Sequence, residues 1–332
     1  YQEFNLGSRQ QIGERLINLG WKPKKFTDKG HVIVDEKVLS EIKDIPEAEL
    51  IKEFLLLQKR VAMIESWIKA VREDGRVHGK VITNGAITSR MSHSSPNMAQ
   101  VPAVYSPYGK DCRELWVVPS GYKLVGVDAS GLELRILSHY MNDKEYINEV
   151  INGDIHSTNQ TLAGLETRDI AKTFIYAFIY GAGNKKLGTI CGRSESYGRE
   201  IKNRFLKRLP SLAKLRTRVD KAVKKGWLKG LDQRKLIIRQ KHSALNTLIQ
   251  GGGAIAMKKA LVILSDYISQ YKIDAIPVVN VHDEFQYQVK EEQADRFGTL
   301  AVKSIVDAGE QLGLRCSLNG EYKIGNNWKE TH

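Results

Sequence analysis

Apolar residues recur at helical spacing in the first part of the chain. Ser8 is suited to cap a helix whose apolar face continues to Gly20, a residue that commonly ends helices. Pro46 opens a longer pattern of apolar residues three and four positions apart, which continues to Gly75. Two helices are therefore predicted before residue 76.

The middle of the chain alternates strand patterns with helices. Residues 77–116 have the texture of short strands and polar turns, and residues 123–127 that of a buried strand leading into a helix over 131–140. Thr167 is suited to cap a further helix that Gly181 ends.

The last third of the chain predicts a long helix and then a hairpin. Residues 242–271 follow a helical pattern in which Gly251–Gly253 form a weak point. Residues 276–281 and 285–289 are β-rich runs on either side of His282-Asp283-Glu284, which indicates a hairpin. The whole pattern predicts an α+β fold, rich in helix, with a small sheet in its middle.

Composition excludes several classes of protein. Hydrophobic residues make up 42% and charged residues 27% of the 332 residues, which excludes disordered and collagen-like chains. The three cysteines lie far apart, without zinc-site spacing, so we expect a reducing compartment. The apolar run at 173–183 is too short to span a bilayer, and no membrane contact is expected. Because residue 1 is Tyr rather than Met, we expect the gene product to begin upstream.

The positive charge is concentrated in one segment. Residues 199–241 contain 16 Lys and Arg against three acidic residues, a difference that equals the net charge of +13 of the whole chain. Two or three further helices are predicted to carry this basic segment. Such a segment can be a solvated basic face, but its imbalance favours contact with a polyanion such as nucleic acid.

Two aspartates are placed where strands end. Asp128 follows an apolar strand, and Asp283 lies at the tip of the predicted hairpin. If the strands are neighbours, the two carboxylates converge, and their repulsion would be reversed by a divalent cation. Oxygen ligands without nearby His or Cys favour Mg²⁺ over zinc. Taken alone, each aspartate is better interpreted as an ordinary turn residue.

One helix carries a stripe suited to a charged ligand. Arg168, Lys172 and Tyr176 are spaced four residues apart and share one helical face. The two cations lie near the N-terminus of the helix, where unpaired N–H groups already favour anions. A triphosphate followed by a sugar or base would fit this stripe, although an amphipathic helix with a basic edge remains an alternative.

These segments resemble the motifs of a known family. Residues 127–135 resemble motif A of the family A DNA polymerases, and residues 281–284 resemble motif C. Motif B is matched by Arg168, Lys172, Tyr176, Tyr180 and Gly181. Residues 88–102 resemble the segment that precedes motif A. The T7-like bacteriophage branch of the family is the most similar one. The similarity lies in the segments DASGLELR, RDIAKTFIY and YGAG and in residues 325–332 at the end of the chain.

The resemblance implies a right-hand polymerase fold. The palm, with a small antiparallel sheet, would comprise residues 76–160 and 242–332, the helical fingers residues 161–241, and a partial thumb or palm base residues 1–75. In this branch an exonuclease domain, most of the thumb and a processivity-factor loop precede the matching region. The chain is therefore expected to be a fragment or one subunit of a split enzyme, with an exonuclease/thumb subunit or processivity factor as a possible partner.

The chemistry implied by the resemblance is template-directed addition of dNTPs to a primer 3′-hydroxyl in phage DNA replication, in the cytoplasm of the infected bacterium. Primer-template DNA and dNTPs would be the partners. Two Mg²⁺ ions would be held by Asp128, Asp283 and the backbone carbonyl of Ala129.

Further roles follow from the same resemblance. The triphosphate would be held by Arg168, Lys172 and His156, with Lys172 also counted as catalytic and Tyr176 facing the incoming sugar. Glu133 would exclude ribonucleotides, Tyr180 would stack at the insertion site, and Glu284 would be a supporting acid. The primer terminus and minor groove would be contacted by Arg90, Gln250 and His282.

Two alternatives from other functional classes remain. A single-subunit RNA polymerase would share the hand and the carboxylate pair, but Glu133 argues against it because RNA synthesis must leave room for a 2′-hydroxyl. A non-catalytic DNA-binding subunit of a split polymerase would be expected to have lost an essential carboxylate, and both Asp128 and Asp283 are present. The sequence contains no YxDD motif, which argues against a reverse transcriptase.

Overall fold

The computed structural model describes residues 4–332. Contacts divide the chain into two units, Tyr1–His78 and Gly79–His332. The helices of the first unit are α1 (Arg9–Asn18), α2 (Glu36–Glu41) and α3 (Glu47–Ala70).

The caps and apolar spacing of the first unit account for its helices. The Ser8 hydroxyl accepts a hydrogen bond from the backbone N–H of Gln11, which confirms it as the cap of α1. Helix α3 ends at Ala70, earlier than the pattern to Gly75 predicted. The three helices bury one shared apolar core, made of Ile12, Leu16, Val34, Leu39, Ile45, Ala48, Ile51 and Leu55.

The second unit mixes helices and strands, as the α+β prediction required. Its strands are β1 (Lys80–Ile82), β2 (Ser92–Ser94), β3 (Tyr122–Ala129), β4 (Trp227–Lys229), β5 (Lys235–Ile237), β6 (Ala275–Val281), β7 (Glu284–Lys290) and β8 (Gly320–Gly325). Its helices are α4 (Gly109–Glu114), α5 (Leu132–Met141), α6 (Lys144–Asn152), α7 (Ile155–Ala163), α8 (Arg168–Ile179), α9 (Asn184–Ile190), α10 (Glu195–Arg208), α11 (Pro210–Val223), α12 (Ala244–Gln270) and α13 (Ala294–Gln311).

A four-stranded antiparallel sheet forms the centre of this unit. Its strand order is β6-β7-β3-β8, so the predicted strand at 123–127 lies between the predicted hairpin and the last strand. Alternate residues of β3, such as Val125 and Val127, are fully buried. Helix α13 packs closely on this sheet: a Cβ added at Gly298 would lie 2.2 Å from the ring of Tyr322 on β8. Three polar residues of β7, Glu284, Gln286 and Gln288, are buried on the opposite face of the sheet.

The glycine triplet lies inside a continuous helix, as the helical pattern over 242–271 predicts. Helix α12 runs without a break through Gly251–Gly253, and these glycines let other elements approach it closely. A Cβ added at Gly252 would lie 2.7 Å from Ile136 on α5, and one added at Gly253 would lie 3.1 Å from Leu132. The triplet is therefore a packing surface.

The longest apolar segment of the described chain also lies in α12, and not at 173–183. Residues 241–270 are long and apolar enough to cross a membrane by length and composition alone. However, 61% of the most apolar window of this helix is buried inside the structure. Such burial is typical of a core helix.

The basic segment contains a hairpin that the sequence pattern did not predict. Two of its parts, α10 and α11, are helices as expected, but the remainder forms β4 and β5, paired from Trp227 to Ile237. Gly226 has a φ of +79°, which ends the helical part because an L-residue rarely adopts that conformation. Only three residues in each strand made the β pattern too short to recognise.

Candidate active site

The two predicted metal-binding aspartates lie at adjacent strand ends. Strand β3 pairs with β7 in a register that places Asp128 directly opposite Glu284. The backbone N–H of Ala129 donates to the carbonyl of Asp283 at 3.1 Å, so the hairpin tip lies against the end of β3. The expectation that these strands are neighbours is confirmed, and the hairpin brings Asp283 to Asp128.

The electrostatics of this pair favour a bound cation. Burial, followed by the charge of Asp283, raises the pKa of Asp128 to about 7. Burial, followed by the charge of Glu133, raises the pKa of the Asp283 carboxyl. Within residues 4–332, no Lys or Arg forms an ion pair with either aspartate. Two carboxylates with raised pKa and no ion-paired partner form a site that a divalent cation would stabilise.

The donor set is nevertheless small. In the part of the chain that the structure describes, no group of three or more His, Cys, Asp or Glu side chains is arranged to hold a metal ion. Asp128 and Asp283, with the carbonyl of Ala129, are oxygen donors of the kind that suits Mg²⁺. Such an ion commonly keeps several waters and uses one or two carboxylates together with substrate phosphates. The residues present therefore fit a metal ion whose remaining ligands are waters and substrate phosphates.

Glu284 is held in place rather than free. Its carboxylate accepts hydrogen bonds from Nε1 of Trp328 and Nε2 of Gln286, each at 2.6 Å. Burial alone would raise the pKa of Glu284, but the hydrogen bonds from His332, Gln286 and Trp328 outweigh burial and lower it. This arrangement agrees with a supporting role and leaves Glu284 less available as a ligand.

The stripe on α8 lies beside a histidine of α7. Thr167 caps α8 by accepting from the N–H of Ile170, which confirms the predicted helix start. The rings of His156 and Tyr176 are 6.2 Å apart, and Nδ1 of His156 is buried without a hydrogen-bond partner among the described residues. Burial, and then the charges of Arg168 and Lys172, lower the pKa of His156. All four predicted dNTP-binding residues of α7 and α8 thus lie in one area.

Arg168 already has an anionic partner. Its Nε and Nη2 donate to the two carboxylate oxygens of Asp154 at 2.7 and 3.1 Å, and this pairing lowers the pKa of Asp154. Asp154 also caps α7. No sequence pattern predicts this pair, because its two residues are 14 positions apart and belong to different elements.

Glu133 joins two other predicted site residues. It accepts from the Tyr180 hydroxyl at 3.1 Å and from Nη2 of Arg90 at 3.3 Å. Desolvation, followed by the charge of Glu133, raises the pKa of Tyr180 to about 12. The start of α5, the end of α8 and the 88–90 loop therefore meet at one half-buried carboxylate.

The two remaining predicted residues, His282 and Gln250, lie in the hairpin turn and on α12. His282 has a φ of +59° in the hairpin turn, and desolvation followed by the charge of Arg90 lowers its pKa. Gln250 is half-buried on α12 and makes no side-chain hydrogen bond within the described residues. A Cβ on the adjacent Gly251 would lie 3.8 Å from the carbonyl of Thr88, so this part of α12 faces the Arg90 loop.

Several residues near the carboxylates were missed by sequence analysis. Glu321 lies opposite Asp128 on the other side of β3, and only the strand register reveals it. His93 forms a hydrogen bond with the backbone of Asn280, close to the charge of His282. His332 approaches Glu284 at 3.1 Å, which requires the chain end to fold back over the sheet.

Part of the basic segment has an internal role. Arg204 donates to the carbonyls of Ala163 and Gly164, and Arg208 to that of Thr161, at the C-terminal end of α7. Arg218 similarly donates to the last turn of α5. Guanidinium groups favour such carbonyls because a helix C-terminus carries partial negative charge. These three arginines are therefore partly occupied, and the expected nucleic-acid contact would depend more on the other basic residues of the segment.

Almost the whole chain matches a known protein family. The model of the family described as DNA polymerase family A matches residues 1–330. The chain belongs to this family. Its membership agrees with the resemblance found in the three motifs and suggests, for the family generally, a requirement for a divalent metal.

The polymerase family A chain is similar to two phage proteins. The DNA-directed DNA polymerase of Enterobacteria phage T3 is 40% identical over 371 residues, and that of Escherichia phage T7 is 39% identical. Each match covers 99% of this chain but 53% of the relative. The family A chain thus spans about half the length of these relatives.

A solved structure shares the fold. The POL domain of Pol1 from M. smegmatis, in complex with DNA primer-template and dNTP, superposes with a TM-score of 0.87 at 23% sequence identity. The match covers 99% of this chain and 62% of that chain. The right-hand polymerase fold expected from the sequence is therefore confirmed.

Proposed function

We propose that this chain is the polymerase region of a DNA-directed DNA polymerase, which adds dNTPs to a primer 3′-hydroxyl under the direction of a template. The observation that carries the proposal is the meeting of Asp128 and Asp283 at the ends of β3 and β7, with raised pKa values and no basic partner among the described residues. Membership of DNA polymerase family A supports the same chemistry.

The metal sites are part of the proposal. Asp128, Asp283 and the carbonyl of Ala129 would hold two Mg²⁺ ions. When bound, these ions would lower the pKa of the primer hydroxyl and stabilise negative charge on the phosphates. The protein's own contribution is to bring two carboxylates together on a rigid antiparallel sheet, where neither is neutralised by an ion pair.

The incoming nucleotide would bind against α7 and α8. Lys172 and His156 would contact the triphosphate, and the phosphates would compete with Asp154 for the Arg168 guanidinium. Tyr176 would face the sugar, as its contact with the His156 ring supports.

The other assigned residues would select the sugar and hold the primer. Glu133, fixed by Tyr180 and Arg90, would restrict space near the 2′ carbon of the sugar. Arg90 would then exchange between Glu133 and the primer terminus, with His282 and Gln250 contacting the minor-groove edges.

The domain assignment is proposed on the same basis. Residues 76–160 and 242–332 would form the palm, residues 161–241 the fingers, and residues 1–75 a partial thumb or palm base. Primer-template DNA and dNTPs would be the partners, with a separate exonuclease/thumb subunit or processivity factor as a further one. Similarity to phage polymerases supports action in DNA replication in the cytoplasm of an infected bacterium.

Primer extension with Mg²⁺ and dNTPs tests this function. We expect Asp128→Asn and Asp283→Asn each to abolish extension while duplex binding stays near wild type, because the isosteric change removes a metal ligand and little else. Asp307→Asn is the matched control, since Asp307 lies on α13 and accepts hydrogen bonds from Lys303 of the same helix and from Tyr267 of α12. Extension by either site variant at the wild-type rate would exclude the metal assignment.

The alternatives predict different outcomes of the same assay. Extension that is faster with ribonucleotides than with dNTPs would indicate an RNA polymerase, and Glu133 is the residue that argues against this result. Tight duplex binding without any extension would indicate a non-catalytic subunit. Addition of a candidate upstream subunit would then show whether activity requires a second chain.

A further inference from the structure

A buried arginine lies beside the carboxylate site. Arg113, on α4, is 6% exposed, and its Nε donates to the carbonyl of Pro102 at 3.0 Å. Its Nη1 is buried and has no hydrogen-bond partner among the described residues, but it lies 3.9 Å from Oε1 of Glu284. A buried guanidinium is costly unless an anion compensates it. Glu284 supplies that anion.

The same arginine stacks on the tryptophan that binds Glu284. The Arg113 guanidinium lies 4.3 Å from the centre of the Trp328 ring. Nε1 of Trp328 donates to the same Oε1 atom of Glu284, at 2.6 Å. The planar guanidinium can therefore stack on the indole and face the carboxylate at once, which the ammonium of lysine cannot do equally well. Three distant segments of the chain meet at Glu284.

The position of Glu284 makes this contact important. Glu284 lies directly opposite Asp128 in the β3–β7 register, and directly opposed residues project from the same face of a sheet. It also follows Asp283 in the chain. Glu284 already places a third negative charge beside the two aspartates, and a mobile carboxylate here could move towards a cation placed between them.

We propose that Arg113 is a positioning residue of this site: together with Trp328 it holds the Glu284 carboxylate in one place beside Asp128. Arg113 acts through Glu284 and does not itself bind substrate. The kinetic consequence of this inference rests on the proposed polymerase function, whereas the Arg113–Glu284 interaction does not.

A double-mutant cycle measures the interaction by thermal unfolding. Arg113→Met keeps the length of the side chain and its contact with Trp328 but removes the permanent cation beside Glu284, which then has only His332 as a basic partner among the described residues. We expect it to lower the melting temperature by about 5–10 °C. Combining it with Glu284→Gln should recover at least half of this loss, because the buried negative charge that Arg113 balances is then absent. Losses that simply add in the double variant would overturn the proposal.

A matched control separates this interaction from the general loss of an arginine. Arg315 donates to the carbonyl of His139 and makes no ion pair with Glu284 within residues 4–332. Arg315→Met should therefore lower the melting temperature by an amount that Glu284→Gln does not alter. Recovery of this control by Glu284→Gln would show that the substitution stabilises the protein generally, and the proposal would fail.

The kinetic test compares the rate at saturating dNTP with the KM. Arg113→Met should lower that rate by about 10- to 100-fold, as changes to the groups that surround metal ligands commonly do. Duplex affinity and the KM for dNTP should remain near wild type, and Arg113→Lys should restore part of the rate because it restores the charge. An unchanged rate in Arg113→Met, or an equal fall in Arg315→Met, would refute a positioning role.

The two proposals fail in distinguishable ways. If the wild-type chain extends no primer under any condition, the proposed function fails. The double-mutant cycle can still be measured by thermal unfolding in that case. Coupled losses would show that Arg113 holds Glu284, and additive losses would show that it does not.

Discussion

The glycine triplet of α12 offers a direct test of how this helix is packed. Replacing glycine by alanine inside a helix normally stabilises it by about 1 kcal/mol. At Gly252, however, the new Cβ would lie 2.7 Å from Cγ2 of Ile136, a side chain that is 0% exposed. This methyl group sits close to the backbone of α5 and cannot rotate away as the end of a long side chain could. The two helices would have to separate.

The expected magnitude follows from these opposing effects. Overpacking a well-filled core typically costs about 1–3 kcal/mol. Because Ile136 is fully buried and β-branched, we expect about 2–3 kcal/mol of overpacking, which the helix propensity of alanine reduces to a net loss of about 1–2 kcal/mol. At Gly251 the new Cβ would meet Cδ1 of Leu236 at 3.0 Å, the flexible end of a side chain. Gly251→Ala should therefore be neutral or slightly stabilising.

Urea unfolding of the two alanine variants provides the measurement. Gly252→Ala should lower the unfolding midpoint, whereas Gly251→Ala should leave it unchanged or raise it. Ile136→Ala alone should cost about 2–5 kcal/mol, and clearly less in the Gly252→Ala background, because the clashing methyl group is then absent. If Gly252→Ala stabilises the protein as much as Gly251→Ala does, the reasoning about this contact is wrong.

Three further predictions concern the site and its surroundings. Glu133→Ala should raise ribonucleotide incorporation, which competition between rNTPs and dNTPs will measure, and it should also free the Tyr180 hydroxyl. If the variant and the wild type select equally between rNTPs and dNTPs, another residue excludes ribonucleotides. Tyr176→Phe should reduce the use of dideoxynucleotides by about 10- to 150-fold, the range of one charge-assisted hydrogen bond, and equal chain-termination frequencies would contradict this. Burial, followed by the charge of Arg315, lowers the pKa of His139 from 6.5, so the unfolded chain binds the proton more readily and stability should fall as the pH drops below about 6.5. His139→Asn keeps an acceptor for the Arg315 N–H and should show less acid sensitivity between pH 8 and pH 5; an unchanged slope would exclude this histidine.

Local sequence patterns were sufficient for the elements that local interactions stabilise. Ser8 and Thr167 cap helices because their hydroxyls accept from backbone N–H groups three residues away, a distance within the chain itself. The hairpin around Asp283 follows from two β-rich runs with a short polar turn between them. The juxtaposition of Asp128 and Asp283 needed one more assumption, that the two strands are neighbours, and the sheet order confirmed it. Their roles remain predictions.

Tertiary structure decided what depends on residues far apart in the chain. The sequence determined that glycines stand at 251–253, but only the approach of α5 gives them a packing function. The partners of Glu284 and of Arg168 come from other elements: Arg113 lies 171 positions from the former, and Asp154 binds the latter across two helices. The strength of an interaction between buried charges depends on their distance and on the exclusion of water. Neither follows from a periodic pattern in the sequence. For this reason the carboxylates could be predicted from the sequence, while the groups that hold them in place could be found only in the folded chain.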